Sequence, residues 1–170
     1  MDMNTSIPLP RARFDVVCYG RDGGEKWRDV AHNLVTDAGI NDVLDKYLKG
    51  SSYSAGFFVG LTDGTPTAAA GDTMSSHAGW TEITAYSEST REALTLGTVA
   101  SKTVNNSASK ATFSISSDSQ TIGGCFVVTD STKGGTSGTL LNIAPFSGGD
   151  KSADDGDSLE VTVTYTGSDV

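Results

Sequence analysis

The run DSLEVTVTYTG, residues 157–167, puts Leu159, Val161, Val163 and Tyr165 on one side of an extended chain and Glu160, Thr162, Thr164 and Thr166 on the other. Alternation with a period of two describes a strand that has one buried face and one wet face. Such a strand needs partners of the same period, and the chain supplies them. From Arg11, residues Phe14, Val16 and Cys18 share one face while Asp15, Val17 and Tyr19 share the other. GRDGG then offers Asp-Gly turn chemistry, and EKWRDVAH reads as the returning arm of a hairpin. Further strand-length runs are AGFFVGLTD (55–63), TEITAYS (81–87), ALTLGTV (93–99), KATFSIS (110–116), QTIGGCFVVTD (120–130) and GTLLNIAPF (138–146). Pro145 marks the end of its strand or a sheet edge. The joints NNSAS, STKGGTSG and SGGDKSADDGD are rich in turn formers, so the pattern predicts antiparallel sheets packed as a sandwich.

One segment breaks the two-residue rhythm. Leu34, Ala38, Val43, Leu44, Tyr47 and Leu48 recur at helical spacing, which predicts one amphipathic helix near residues 36–49. Thr36 is placed to cap it, Asp37 suits its first turn, and Lys46, Lys49 and Gly50 suit its end. Gly39 weakens the first turn. In a β protein such a helix plugs an open end of the sandwich or packs on one sheet. Residues 1–13, with Pro8 and Pro10 and no periodicity, read as an extended N-terminal arm, and residues 14–170 as one β-sandwich domain. Residues 63–79, DGTPTAAAGDTMSSHAG, have no clear period, and a loop of that length is the first place to expect an adaptable contact surface.

Charge and composition exclude several functions. The net charge is −9 with no run of lysine or arginine, so a phosphate backbone is repelled and direct nucleic-acid binding is not expected. The chain has no apolar stretch long enough to cross a bilayer and no secretory signal pattern at its start, which points to synthesis in a cytoplasm and no membrane partner. Cys18 and Cys125, both in apolar strand-like contexts, read as buried thiols. The 20 glycines, 21 serines and 21 threonines suit short strands joined by many turns.

Motifs for chemistry are sparse. Asp72, Ser75, Ser76 and His77 lie close in sequence, but no nucleophile elbow accompanies them and a relay needs rigid elements to aim its members. KGGTSG (133–138) lacks the Lys-Ser/Thr ending of a phosphate loop and reads as a flexible hairpin tip. Asp150, Asp154, Asp155 and Asp157 supply hard oxygens suited to calcium, although the spacing fails for an EF-hand and a solvated acidic turn explains them as well. Trp27, Trp80, Tyr53, Phe57 and Phe58 serve either a core or sugar stacking. No catalytic residue, cofactor or metal ligand is assigned, and the chain is expected not to be an enzyme.

The segments HNLVTDAGINDVLDKYLKGS, FFVGLTDGTP, GDTMSSHAGWTEITAYSESTREALTLGT and DGDSLEVTVTY together resemble a group of small virion structural proteins of tailed bacteriophages, over most of residues 13–167. The resemblance implies a β-sandwich, jelly-roll-like, present in many copies on a particle. It also implies a capsid cement or decoration protein, made in the host cytoplasm and placed on the capsid exterior, that bridges neighbouring subunits. Expected partners are the major capsid protein or another virion protein, and the chain itself as a homodimer or homotrimer. Ile7, Leu9, Arg11, Arg13, Thr65, Met74 and His77 are the candidate interface residues. The alternatives are a tail adaptor or fibre-associated protein, or a carbohydrate- or calcium-binding β-sandwich module.

Overall fold

A computed structural model of the chain describes residues 11–51 and 56–167. It contains two antiparallel sheets packed face to face and one short helix, the mainly β architecture that the alternation predicts. The first sheet holds β1 (Arg11–Tyr19), β2 (Glu25–His32), β6 (Thr103–Asn105), β7 (Ala111–Ser114) and β11 (Ser158–Thr166). The second holds β3 (Leu34–Val35), β4 (Phe58–Asp63), β5 (Glu92–Ala93), β8 (Gln120–Val128), β9 (Leu140–Pro145) and β10 (Lys151–Ala153). Between β3 and β4 lie α1 (Asp37–Val43) and a π-helical turn, Leu44–Leu48.

The register follows from the alternation. β1 and β11 pair along their whole length, from Arg11 opposite Thr166 to Tyr19 opposite Ser158. This sets Phe14 against Val163, Val16 against Val161 and Cys18 against Leu159, all six fully buried. A slip by one residue would expose every one of them. Arg11 and Arg13, placed in the expected arm, belong to this strand. Residues 1–10, the rest of the expected arm with Ile7 and Leu9, lie outside the described residues.

β11 has a broken partner on its other side. β6 pairs with Thr164–Thr166 and β7 with Ser158–Val161, leaving a gap between them. Asn106 fills that gap with its side chain. Its Oδ1 accepts from the Val163 backbone N–H at 2.7 Å and its Nδ2 donates to the Val161 carbonyl at 3.2 Å. A buried side-chain amide thus substitutes for a strand residue, which keeps the central strand's polar groups satisfied.

β8 departs from simple alternation, with Ile122 to Val128 all buried. Leu61, Cys125 and Val127 belong to the core between the sheets, whereas Phe126, Val128, Leu140 and Ile143 form a second cluster with Met74 and Trp80. The second sheet is therefore covered on its outer side as well, by the segment after β4. Gly60 faces Phe126 across the β4–β8 ladder, and a Cβ there would collide with the phenyl ring. The aromatic lies over the glycine and reaches Trp80 at 5.1 Å between ring centroids.

The outer cover overturns several expectations. Within residues 63–79, Pro66, Asp72 and Met74 are buried and anchor the segment, while most of its other residues are exposed. TEITAYS forms no strand and makes only isolated bridges, Thr62 with Glu82 and Tyr86 with Ile115. ALTLGTV likewise keeps only Ala93 within the two-residue β5, with single bonds from Leu94 N–H to Phe57 and from Gly97 N–H to Asn105. Both runs cross from one sheet to the other at its edge, so neither can hold one ladder. Strand β3 falls at the start of the helical stripe, β10 within a turn-rich joint and β6 in a stretch to which no element was assigned.

Arg91 fastens this cover. Its side chain is fully buried, with Nε and Nη2 on the two Glu82 oxygens at 2.9 and 2.7 Å, and it donates to the carbonyls of Asp130 at 2.9 Å and Gly135 at 2.7 Å. Glu82 also accepts the Gly134 N–H at 3.0 Å. Lys133 donates to the carbonyls of Tyr86 and Glu88 at 2.8 and 2.7 Å. The first half of the KGGTSG tip, Lys133 to Gly135, is accordingly tied to the body, because a buried guanidinium needs carbonyls and a carboxylate to offset its desolvation.

Two substitutions test these devices. Asn106→Ala strands one buried N–H and one buried carbonyl, so a loss of about 2–4 kcal/mol is expected as a lowered urea midpoint with unchanged slope. Arg91→Met leaves the Glu82 carboxylate buried without its partner, and should cost about 3–5 kcal/mol in the same measurement. Arg91→Lys should recover little of that loss, because an ammonium cannot reproduce the guanidinium fork.

Candidate functional site

Thr36 starts the helix as its spacing predicts. Its Oγ1 accepts the Gly39 N–H at 3.0 Å and donates to the Leu140 carbonyl, joining the helix start to β9. Gly39 is required for a second reason, since a Cβ there would run into the Leu141 carbonyl oxygen. Gly50 closes the segment at φ +81°, a left-handed conformation that glycine adopts without strain.

The apolar stripe does not stay against the body. After Val43 the backbone shifts to π spacing, with Lys49 N–H bonded to the Leu44 carbonyl at 3.0 Å. The wider turn rotates the following residues out of phase with the first half. Leu44, Tyr47 and Leu48, expected on the buried side, are 43, 83 and 61% exposed.

Beside the helix one end of the sandwich stays open. A groove of about 260 Å³ runs between Val35, Gly39 and Val43 on the helix side and Leu141 and Asn142 of β9. Phe57, Leu96, Val104 and Tyr165 complete its lining from the other strands and connections. Across it Asn142 Nδ2 donates to the Tyr165 hydroxyl at 3.0 Å. Asn142 Oδ1 is buried without a hydrogen-bond partner among the described residues. The helix thus packs on β9 and flanks the open end without filling it.

The other candidates are engaged within the fold. His77 stacks on Trp80 with ring centroids 3.8 Å apart, and its Nδ1 lies 2.9 Å from the Trp80 carbonyl, so that nitrogen carries the proton. Asp72 accepts from Trp80 Nε1 at 3.2 Å and from the Ala69 N–H at 3.1 Å. Both side chains therefore serve Trp80, and no hydrogen bond joins them. Met74, expected at an interface, is buried beneath the same cover because its thioether packs with Phe126 and Trp80. Of the remaining candidate contact residues, Arg11, Arg13 and Thr65 are exposed. Arg13 pairs with Asp15 at 2.6 Å.

The aspartates of the acidic turn are spread over different partners. Asp150 accepts from Thr65, through both N–H and Oγ1, at 2.6 Å. Asp155 pairs with Arg21 at 2.7 Å, while Asp157 and Asp154 share Lys26 at 2.5 and 3.2 Å. Among the described residues no group of three or more His, Cys, Asp or Glu side chains could hold a metal ion. Asp154, Asp155 and Asp157 clamp the turn to the β1–β2 hairpin and Asp150 ties it to the segment after β4, roles that spacing does not reveal.

Both cysteines are free and buried. Burial first, then the nearby Asp157 charge, pushes the Cys18 thiol up to about 11, and burial raises Cys125 further. Neither is poised as a nucleophile at neutral pH. Among the described residues no helix is long and apolar enough to cross a membrane. No protein-family model matches this chain, and no curated protein or solved structure matches it either.

Sequence reading did not find the groove, although it carried traces. Tyr165 stands at an inward position near the end of an alternating strand, and Asn142 is a lone amide in an apolar run. Convergence of Val35, Leu96 and Val104 from distant segments has no local signature.

Clamping makes stability depend on pH. Burial pulls the Asp29 carboxyl up, but Lys151 at 3.0 Å and the N–H groups of Val30 and Gly148 outweigh it and hold the group below its ordinary 3.8. The Ser119 N–H, followed by Lys26, lowers Asp154 in the same direction. Depressed carboxylates contribute stability that is present above their unfolded value and lost as pH falls through the folded one. Melting temperature should therefore drop on acidification below about pH 4, and Asp29→Asn should flatten that drop. Lys26, raised above 10.5 by Asp157 first, adds stability that is present below that value and fades as pH climbs through its higher folded value.

Proposed function

We propose that the chain is a non-enzymatic structural component of a tailed-phage particle, a capsid cement or decoration protein that stabilises the shell by bridging neighbouring subunits. The contact role rests on one observation, an apolar groove open at the end of the sandwich with exposed Leu44, Tyr47 and Leu48 on the adjoining helical segment. Exposed apolar area of this kind on an acidic, polar body favours a covering partner. The virion setting is supported by the resemblance of the segments around residues 32–51, 57–66, 71–98 and 155–165 to small virion structural proteins.

In this role the partners are the major capsid protein or another virion protein, together with further copies of the chain as a dimer or trimer on the capsid exterior. A cement protein works by interface area repeated over many copies, and an arm beside an ordered body multiplies the contact through effective concentration. The acidic surface keeps that repeated array from adhering to nucleic acid.

Gradient-purified particles should carry the chain in hundreds of copies, measured by quantitative mass spectrometry; its absence from particles would sink the reading. Deletion of residues 1–10, which spares β1, should leave the melting temperature within a few degrees of the full chain and strip the protein from particles on sedimentation. Retention equal to the full chain removes the arm from the mechanism.

A further inference from the structure

The groove opens between the two sheets. Val35, Leu141 and Asn142 line it from the second sheet, and Val104 and Tyr165 from the first. An apolar cavity of roughly 150 Å³ accommodates a benzene ring. On that scale the 260 Å³ of this groove holds a molecule of about ten non-hydrogen atoms. Among the described residues no charged side chain lines it. A carboxylate or an ammonium group would therefore lose its water there without gaining a counter-charge, and a sugar would find too few polar partners.

One polar atom in the lining has work left to do. Asn142 is 2% exposed, and its Nδ2 is committed to the Tyr165 hydroxyl at 3.0 Å, which holds the amide among the lining groups. Its Oδ1 is buried with no hydrogen-bond partner among the described residues. Asn106, equally buried, uses both ends of its amide on Val163 and Val161. A carbonyl oxygen left alone in apolar surroundings carries its full desolvation cost until a donor meets it.

We propose that the groove binds a small, neutral, apolar molecule bearing one hydroxyl group. The hydroxyl donates to Asn142 Oδ1, and the hydrocarbon body lies against Val35, Val104 and Leu141. Each property of the lining is then matched: apolar area is buried, the single proton meets the single spare acceptor, and no charge is desolvated. Leu44, Tyr47 and Leu48 are not part of this lining, so a bound ligand leaves them to the contact role. The site needs neither a particle nor a protein partner.

The order of two probes separates this site from a gap that is merely apolar. Burying a hydroxyl without a partner costs free energy, so such a gap prefers the bare hydrocarbon. An acceptor in the wall reverses the order. The probes are para-propylphenol and propylbenzene, which share one carbon skeleton, titrated into the isotope-labelled full-length protein and followed by NMR. Para-propylphenol should saturate one site per chain, shift the Asn142 side-chain amide resonance and bind about fivefold tighter than propylbenzene. Val104→Trp, which puts an indole into the groove, should remove binding of both, and Asn142→Leu should make propylbenzene the tighter ligand.

No saturable binding of para-propylphenol, propylbenzene binding as tightly, or binding unchanged in a folded Val104→Trp protein each overturns the proposal. So does binding that appears only after deletion of residues 1–10, because the chain then supplies its own occupant. Should either variant fail to fold, the order of the two probes on the unmodified protein still decides. Failure of both probes leaves the cement reading to its own test, and absence of the chain from particles leaves this site standing.

Discussion

β8 has no wet face, and much of the architecture follows from that constraint. A strand buried on both sides has to be covered twice, once by the opposing sheet and once by something else. In this chain the second cover is irregular backbone after β4, carrying Met74 and Trp80 onto Phe126. Irregular backbone brings polar groups that a ladder would have satisfied, so the cover depends on side chains to hold them. Arg91 binds two carbonyls and the Glu82 carboxylate, and its guanidinium stands 5.4 Å from the centre of the Phe126 ring. The buried charge, the glycine beneath the ring and the tied segment 133–135 are consequences of one doubly covered strand.

The same distribution of polar groups shapes the surface left for function. His77, Asp72, Glu82 and the aspartates of the acidic turn are engaged with neighbours inside the fold. Among the described residues an apolar groove lies beside the helical segment, where the change to π spacing leaves Leu44, Tyr47 and Leu48 exposed. An inert, well-bonded body with one apolar end is suited to being stuck to something. The first described residues, Arg11 and Ala12, pair with Thr166 and Tyr165 at that same end.

Local chemistry made a large part of this legible in advance. The alternation of β1 and of β11, the buried thiols, the Thr36 cap and the Gly50 stop all depend on residues close in sequence. Residues 81–99 misled for an identifiable reason. Their apolar spacing suits strands, but they cross between sheets and meet each through single bonds, so pattern was present without a continuous partner. The helical stripe misled in the opposite way. Leu44, Tyr47 and Leu48 have helical spacing, and a single π turn changed which direction that spacing faces.

Period, turn chemistry and capping are properties of neighbouring residues, and for that reason the sequence by itself determined the sandwich class, the buried faces of its first and last strands and the start of the helix. Which residues meet across the molecule depends on how non-adjacent segments divide the available space. The tertiary structure alone decided that Asn106 completes a strand gap, that Arg91 binds the outer cover, that Asp154 and Asp157 serve Lys26, and that one end of the sandwich stays open. Each of these pairs groups dozens of residues apart, and their free energy comes from burial that exists only after the sheets have packed.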